Sequence, residues 1–260
     1  MSTAVLETRI EDGVARVGLA RPDVRNAFNA QLIADLKQTF DRLSTEPAVR
    51  AVVLAGAGKV FCGGADINWM RDSLELSREE NVADAQAMSE MFRAIDRCAK
   101  PVIARVHGAA LGGGAGLAAV CDVVIASEET LFGFTEVKLG IIPAVISPFV
   151  LAKIGATHAR ALFLTGERFD ARRAQTIGLV HEVTALDTLD AAVDRVLAEV
   201  RGAGPSAVSA AKRLIETMRE TGYDASRDVT ANAIAAQRTT PEGQEGLRAF
   251  LERRKAQWSQ

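Results

Sequence analysis

His107-Gly108-Ala109-Ala110-Leu111-Gly112-Gly113-Gly114-Ala115-Gly116-Leu117-Ala118-Ala119-Val120 is the stretch whose reading decides the fold. Consecutive glycines are costly inside a helix or strand but natural in a tight turn, where the backbone needs conformations closed to other residues. The β-branched run Val102 to Val106 precedes this turn, and an apolar run follows it. The pattern predicts a strand, a turn at Leu111-Gly112-Gly113-Gly114, a short helix from Gly113 to about Val120, and a strand over Val123 to Ala126. Strand, turn, helix and strand in that order define an α/β chain.

Upstream, Val5 to Ile10 and Val14 to Leu19 flank Asp12-Gly13, the signature of a hairpin. Leu32, Ile33, Leu36, Phe40 and Leu43 recur at helical spacing after a candidate cap at Asn29, and Ala51 to Ala55 reads as a buried strand. Ser77 and Glu80 have capping-box spacing ahead of a helix with Met88, Phe92 and Ile95 on one face. Downstream, Ser147-Pro148 begins a helical region with expected caps at Thr157, Asp170 and Ser206, interrupted by a strand over Leu179 to Val183. Turn residues cluster at Gly202-Ala203-Gly204-Pro205, so two units are expected: an α/β core over 1–202 and a helical subdomain over 203–260. The sequence carries no internal repeat and no low-complexity segment.

The chain has 260 residues, 48% of them hydrophobic, enough to bury a sizeable core. Its 31 Lys and Arg against 33 Asp and Glu give a formal net charge of -2, which supplies no general attraction to nucleic acid or to an anionic membrane. The opening Met1-Ser2-Thr3-Ala4-Val5-Leu6 lacks a basic leader, and no run approaches the ~20 apolar residues that cross a bilayer, so a cytoplasmic protein is expected. Cys62, Cys98 and Cys121 are odd in number, widely spaced and without zinc-site pairing; they read as free thiols in a reducing compartment.

Spacing rejects the usual glycine-rich alternatives. Gly112 and Gly114 are followed by Leu117 where a dinucleotide fingerprint requires its third glycine. Gly58-Lys59 is followed by Val60 where a phosphate loop needs Ser or Thr, and Val53 replaces that loop's first glycine. No serine lies in a nucleophile elbow, and His107, His158 and His181 lack metal-ligand spacing, so no metal is expected.

Three segments remain: Phe61-Cys62-Gly63-Gly64-Ala65-Asp66-Ile67, the stretch from His107 to Gly114, and Phe132-Gly133-Phe134-Thr135-Glu136-Val137-Lys138-Leu139-Gly140. In order and spacing, over nearly the whole chain, they resemble the crotonase (enoyl-CoA hydratase/isomerase) superfamily. Glu245-Gly246-Leu247-Arg248-Ala249-Phe250 and Arg254-Lys255-Ala256 in the tail resemble it too. The resemblance implies a crotonase-like spiral of ββα units with a C-terminal helical subdomain. It also implies an oxyanion hole made of the Ala65 and Gly113 backbone N–H groups. That role suits preorganised donors at a glycine turn and a helix N-terminus.

By the same resemblance Glu136 is the catalytic acid/base. A second glutamate found in related hydratases falls at Gly116 and is missing. Coenzyme A would run along Gly63, Ala65, Asp66 and Ile67, with Arg25 near its diphosphate and with Phe250 and Lys255 reaching the nucleotide from the terminal helix of the same or a neighbouring subunit. Asp66 reads equally well as a helix cap, and Arg253, Arg254 and Lys255 as charges on a solvated last turn.

The implied substrate is an acyl-CoA thioester. Coenzyme A enters as part of it, without a separate cofactor, and a homotrimer or homohexamer is the expected assembly. Gly140-Ile141-Ile142-Pro143-Ala144-Val145-Ile146-Ser147-Pro148-Phe149, with Gly116, looks most like bacterial hydratases of branched enoyl-CoAs, the methylglutaconyl-CoA type among them. A Δ3,Δ2-enoyl-CoA isomerase working with one glutamate is the alternative. A non-catalytic acyl-CoA-binding or RNA-binding homologue is a third reading, and the near-neutral charge speaks against RNA.

Overall fold

Asp12 and Gly13 both take positive φ, 49° and 76°, in the computed structural model, and so close a two-residue turn whose twist matches its flanking strands. The structure describes residues 4–259; Met1 to Thr3 and Gln260, the extreme ends of the two expected units, lie outside the described residues. The turn joins β1 (Leu6–Glu11) to β2 (Val14–Leu19). The chain continues through α1 (Ala30–Thr45), β3 (Ala51–Gly56), α2 (Ile67–Asp72), α3 (Arg78–Asp96), β4 (Val102–Val106), β5 (Ala109–Leu111), α4 (Gly113–Val120), β6 (Val123–Ser127) and β7 (Leu131–Gly133). Then come α5 (Ser147–Thr165), β8 (Arg168–Asp170), α6 (Ala171–Thr176), β9 (Glu182–Thr184), α7 (Leu189–Gly202), α8 (Pro205–Glu220), α9 (Tyr223–Thr239) and α10 (Pro241–Leu251).

The main sheet has the order β1-β2-β3-β4-β6-β9, antiparallel at the hairpin and parallel beyond it. Parallel strands need both faces covered, and alternation along each strand shows how this is done. Val17, Leu19, Val52, Leu54, Ala104 and Val106 face Leu32, Leu36, Phe40, Phe92 and Ile95 of α1 and α3. Val14, Ala51, Val53, Ile103 and Ile125 face Leu189, Val193 and Leu197 of α7. Each such Leu, Ile or Phe contributes roughly 1.5–3 kcal/mol by leaving water.

Local signals set most boundaries. Asn29 accepts from the Leu32 N–H, and Ser77 and Glu80 complete their capping box. Asp170 caps α6 through the Arg173 N–H. Met88 departs from its expected place: α3 buries Met91, Phe92 and Ile95, and Met88 is left half-buried. Ser206 is not a cap, because Pro205 begins α8 one residue earlier and the Glu242 carboxylate accepts from the Ser206 and Ala207 N–H groups, both at 2.9 Å. Thr157 lies within α5, which is interrupted instead at Gly155 (φ 71°, ψ 164°). The strand expected over Leu179 to Val183 is displaced to Glu182–Thr184, beside β6.

A second sheet, β5-β7-β8, carries no periodic signal in the sequence because each strand has only three residues. It sets the glycine turn: β5 pairs with β7 immediately before Gly112, and the Gly112 N–H donates to the Gly133 carbonyl at 2.8 Å.

The break between α7 and α8 falls at the expected Gly202 to Pro205 turn. Side chains span it. The Arg50 guanidinium donates to the Arg201, Ala203 and Trp258 carbonyls, and Lys212 pairs with Asp122 at 2.6 Å. Within the single chain α8 and α9 bury no residue, while Ile215, Ile234, Leu247, Phe250 and Leu251 stand exposed.

Candidate active site

The two glycine turns lie against each other because each hydrogen-bonds the other's backbone. The Cys62 N–H donates to the Ala109 carbonyl and the Leu111 N–H to the Cys62 carbonyl, both at 3.1 Å. The fit leaves no room for side chains: a Cβ on Gly114 would sit 2.4 Å from the Cys62 carbonyl oxygen, and one on Gly64 (φ 99°) 2.9 Å from that of Leu111. Neighbouring N–H groups are committed, that of Gly63 to Arg25, that of Asp66 to Phe28 and that of Gly112 to Gly133. The N–H groups of Ala65 and Gly113 have no acceptor among the described residues. Gly113 is the first residue of α4, so its N–H also carries the positive end of the helix dipole.

Asp66 holds this turn through its side chain. Its carboxylate caps α2 by accepting from the Asn68 N–H at 2.8 Å and pairs with Arg21 at 2.8 Å, nearly out of solvent. Burial pushes the carboxyl up, but the Asn68 N–H, the Arg21 guanidinium and the Trp69 N–H outweigh it and hold the group below its ordinary value. Of the two readings of Asp66, the cap is what the geometry realises; only its backbone is left for a ligand. Arg25 takes φ 58° and packs beside Gly63, and Ile67 is 71% exposed on the first turn of α2.

These turns open into a cavity of about 390 Å³ lined by Gly63, Ala65, Gly113 and Glu136 among others. Glu136 starts a 3-10 turn after β7 and lies over Gly112, where a Cβ would meet its Oε1 at 3.3 Å. Its Oε2 is buried with no hydrogen-bond partner among the described residues. Burial raises its pKa, offset only in part by its own backbone N–H. A carboxyl whose pKa burial raises and whose Oε2 is left unpartnered suits proton transfer.

The far side of α4 is closed to a second acid. A Cβ on Gly116 would lie 2.4 Å from Ile146 Cγ2 and 3.2 Å from Phe92 Cζ, so Ile146 fills the space a glutamate would need. Phe250, 82% exposed, and Lys255 are not brought to the cavity within one chain; α10 packs against Trp258 through Gly246 instead. The cavity also receives Trp69, Asp84 and Met88 from α2 and α3, none of which was singled out for the site in the sequence. Met88 shares a helical stripe with Phe92 and Ile95, which marks it as a core-facing position, and nothing local marks Asp84 among the acidic residues of α3.

A parallel-sheet core, an outlying helical tail and paired free N–H groups over a buried carboxyl define a crotonase-fold protein. The chain belongs to the enoyl-CoA hydratase/isomerase family, whose model matches residues 9–260. It is 34% identical over 248 residues to the crotonyl-CoA hydratase of Syntrophomonas wolfei, covering 95% of this chain and 94% of that one. Among solved structures it is similar to AtuE of Pseudomonas aeruginosa, with a TM-score of 0.96, 37% identity and coverage of 99% and 100% of the two chains. An enoyl-CoA hydratase from Shewanella pealeana gives a TM-score of 0.95 at 37% identity, with 99% and 97% covered. No helix among the described residues is long and apolar enough to cross a membrane.

Proposed function

We propose that this chain is an enoyl-CoA hydratase that adds water across the 2,3 double bond of an enoyl-CoA, branched acyl groups included. The observation that carries the reading is the unpartnered Glu136 carboxyl in the same cavity as the free Ala65 and Gly113 N–H groups. The thioester oxygen takes both N–H groups and gains their stabilisation as it becomes an enolate oxygen. The oxygen of water bonds to C3 and releases one of its protons as that enolate forms, and Glu136 hands its own proton to C2 and is reprotonated from solvent. Coenzyme A arrives within the substrate, so no separate cofactor enters the step.

The Δ3,Δ2-isomerase reading has one specific observation in its favour, the apolar Ile146 where a second acid would stand, since a single carboxyl can move a proton between C4 and C2. A panel of 2-enoyl- and 3-enoyl-CoA thioesters in oxygen-18 water separates the two. The hydratase incorporates label into a 3-hydroxyacyl-CoA. Label-free conversion of 3-enoyl to 2-enoyl substrates, with no hydroxyacyl product from any 2-enoyl-CoA, assigns the isomerase instead.

The nucleotide end of the substrate lies along Arg25, Gly63, the Asp66 backbone and Ile67. Phe250 and Lys255 serve the pocket of a neighbouring subunit in a homotrimer or homohexamer built on the exposed apolar faces of the tail, and the protein works in the cytoplasm. Deleting residues 250–260 is expected to weaken CoA binding and loosen the assembly. Calorimetry and light scattering check both; a monomer at micromolar concentration with full CoA affinity contradicts this arrangement.

A further inference from the structure

The cavity holds a second carboxylate that the reading above does not use. Asp84 lies on α3 one turn before Met88, and residues four apart on a helix share a face. Met88 Cε comes within 2.9 Å of where a Cβ on Gly113 would sit, while Glu136 lies over Gly112 on the other side of the same turn. The Gly112-Gly113 turn is thus flanked by the element bearing Glu136 and by the helix bearing Met88 and Asp84. Ile146 closes the third direction, at position 116, with hydrocarbon.

Asp84 has the surroundings of a working group. It is half-buried, has the Trp69 side chain beside it, and no Lys, Arg or His lines the cavity among the described residues. Burial raises its pKa, only partly offset by Trp69, and so makes it a better proton acceptor. Nearby polar groups also present acceptors. Asn81 spends its amide N–H groups on the Leu76 and Ser77 carbonyls, and the Ser73 hydroxyl donates to the Met70 carbonyl at 2.8 Å. Acceptors left at one site can orient a water, which has two protons to give.

We propose that Asp84 is the second carboxylate of hydration, a catalytic residue that holds the attacking water and takes its proton while Glu136 supplies the proton to C2. The inference rests on the hydratase reading. The water oxygen bonds to C3, and the π pair of the 2,3 bond moves into the enolate held by Ala65 and Gly113. One water proton passes to Asp84, the Glu136 proton goes to C2, and exchange with solvent at the open mouth resets both carboxyls. The net change is addition of one water.

The test compares two reactions of the full chain. Exchange of C2 hydrogen of butyryl-CoA for deuterium needs Glu136 and the two N–H groups but no attacking water; hydration of crotonyl-CoA needs Asp84 as well. Asp84→Asn is expected to lower kcat for hydration by about 100-fold or more, the scale of a lost general base, with KM changed by less than about threefold. Its C2 exchange stays within about twofold of wild type, and Asp84→Glu recovers hydration by about tenfold over Asp84→Asn. Hydration that survives in Asp84→Asn, or hydration and exchange that fall together, overturns the assignment while leaving the hydratase reading intact. A wild type that exchanges C2 hydrogen yet hydrates none of the 2-enoyl-CoAs fails the hydratase reading and the role of Asp84 with it.

Discussion

Glu136→Gln protein is expected to lose about 10²–10⁴-fold in turnover of any enoyl-CoA the wild type accepts, while folding normally. Glutamine keeps the shape of the side chain and removes the transferable proton. Because Oε2 has no partner among the described residues, the substitution breaks no hydrogen bond there. The direction of the pKa shift gives the stability sign. Burial raises the Glu136 pKa above its unfolded value, so this group's favourable contribution is complete below the unfolded pKa and is lost as pH rises through the folded one. At neutral pH the variant should therefore unfold at the same temperature as wild type or a higher one. Loss of activity without loss of Tm is the paired signature, read by a hydration assay and thermal denaturation. Substantial turnover in a folded Glu136→Gln protein would remove Glu136 from the chemistry.

Gly113→Pro is expected to cut kcat by about 100-fold or more, the loss of one oxyanion donor, by deleting the N–H that no side-chain change can reach. Gly113 opens α4, and proline is well tolerated at a first helical position, so the helix itself should survive. Steric effects need their own control, since a Cβ at 113 meets Phe28 Cε2 at 2.8 Å and Met88 Cε at 2.9 Å. Gly113→Ala introduces that Cβ and keeps the N–H; the end of Met88 can swing away, so its kcat should lie well above that of the proline variant. Equal losses in both variants would trace the effect to crowding, and a folded Gly113→Pro protein with wild-type kcat would take Gly113 out of the oxyanion hole. An isomerase would show the same response, because both reactions pass through the enolate; the labelled-water experiment and Asp84→Asn separate them.

Much of this protein is written locally. The Asp12-Gly13 turn, the Asn29 cap, the Ser77 and Glu80 box and the stripe from Leu32 to Leu43 are interactions between residues a few positions apart. Their spacing in the sequence is their spacing in space. The α/β class follows from the glycine turn and its flanking runs, and the family and Glu136 were legible through the resemblance carried by the glycine turns and the Phe132 to Gly140 segment.

Other features exist only once distant segments pack. Asp66, whose cap on the Asn68 N–H is local, became an ion-pair partner because Arg21 lies against it, and Ile146 denies position 116 a side chain from beyond β6 and β7. Asp84 enters the cavity because α3 crosses the Gly113 turn. Each of these depends on which atoms fill a shared volume between elements far apart in the chain. The sequence by itself determined the longer helices and the main-sheet strands up to β6, the family and one candidate catalytic carboxyl; tertiary packing decided the short second sheet and which groups reach the cavity, since close packing admits one side chain to each space and periodicity cannot say whose.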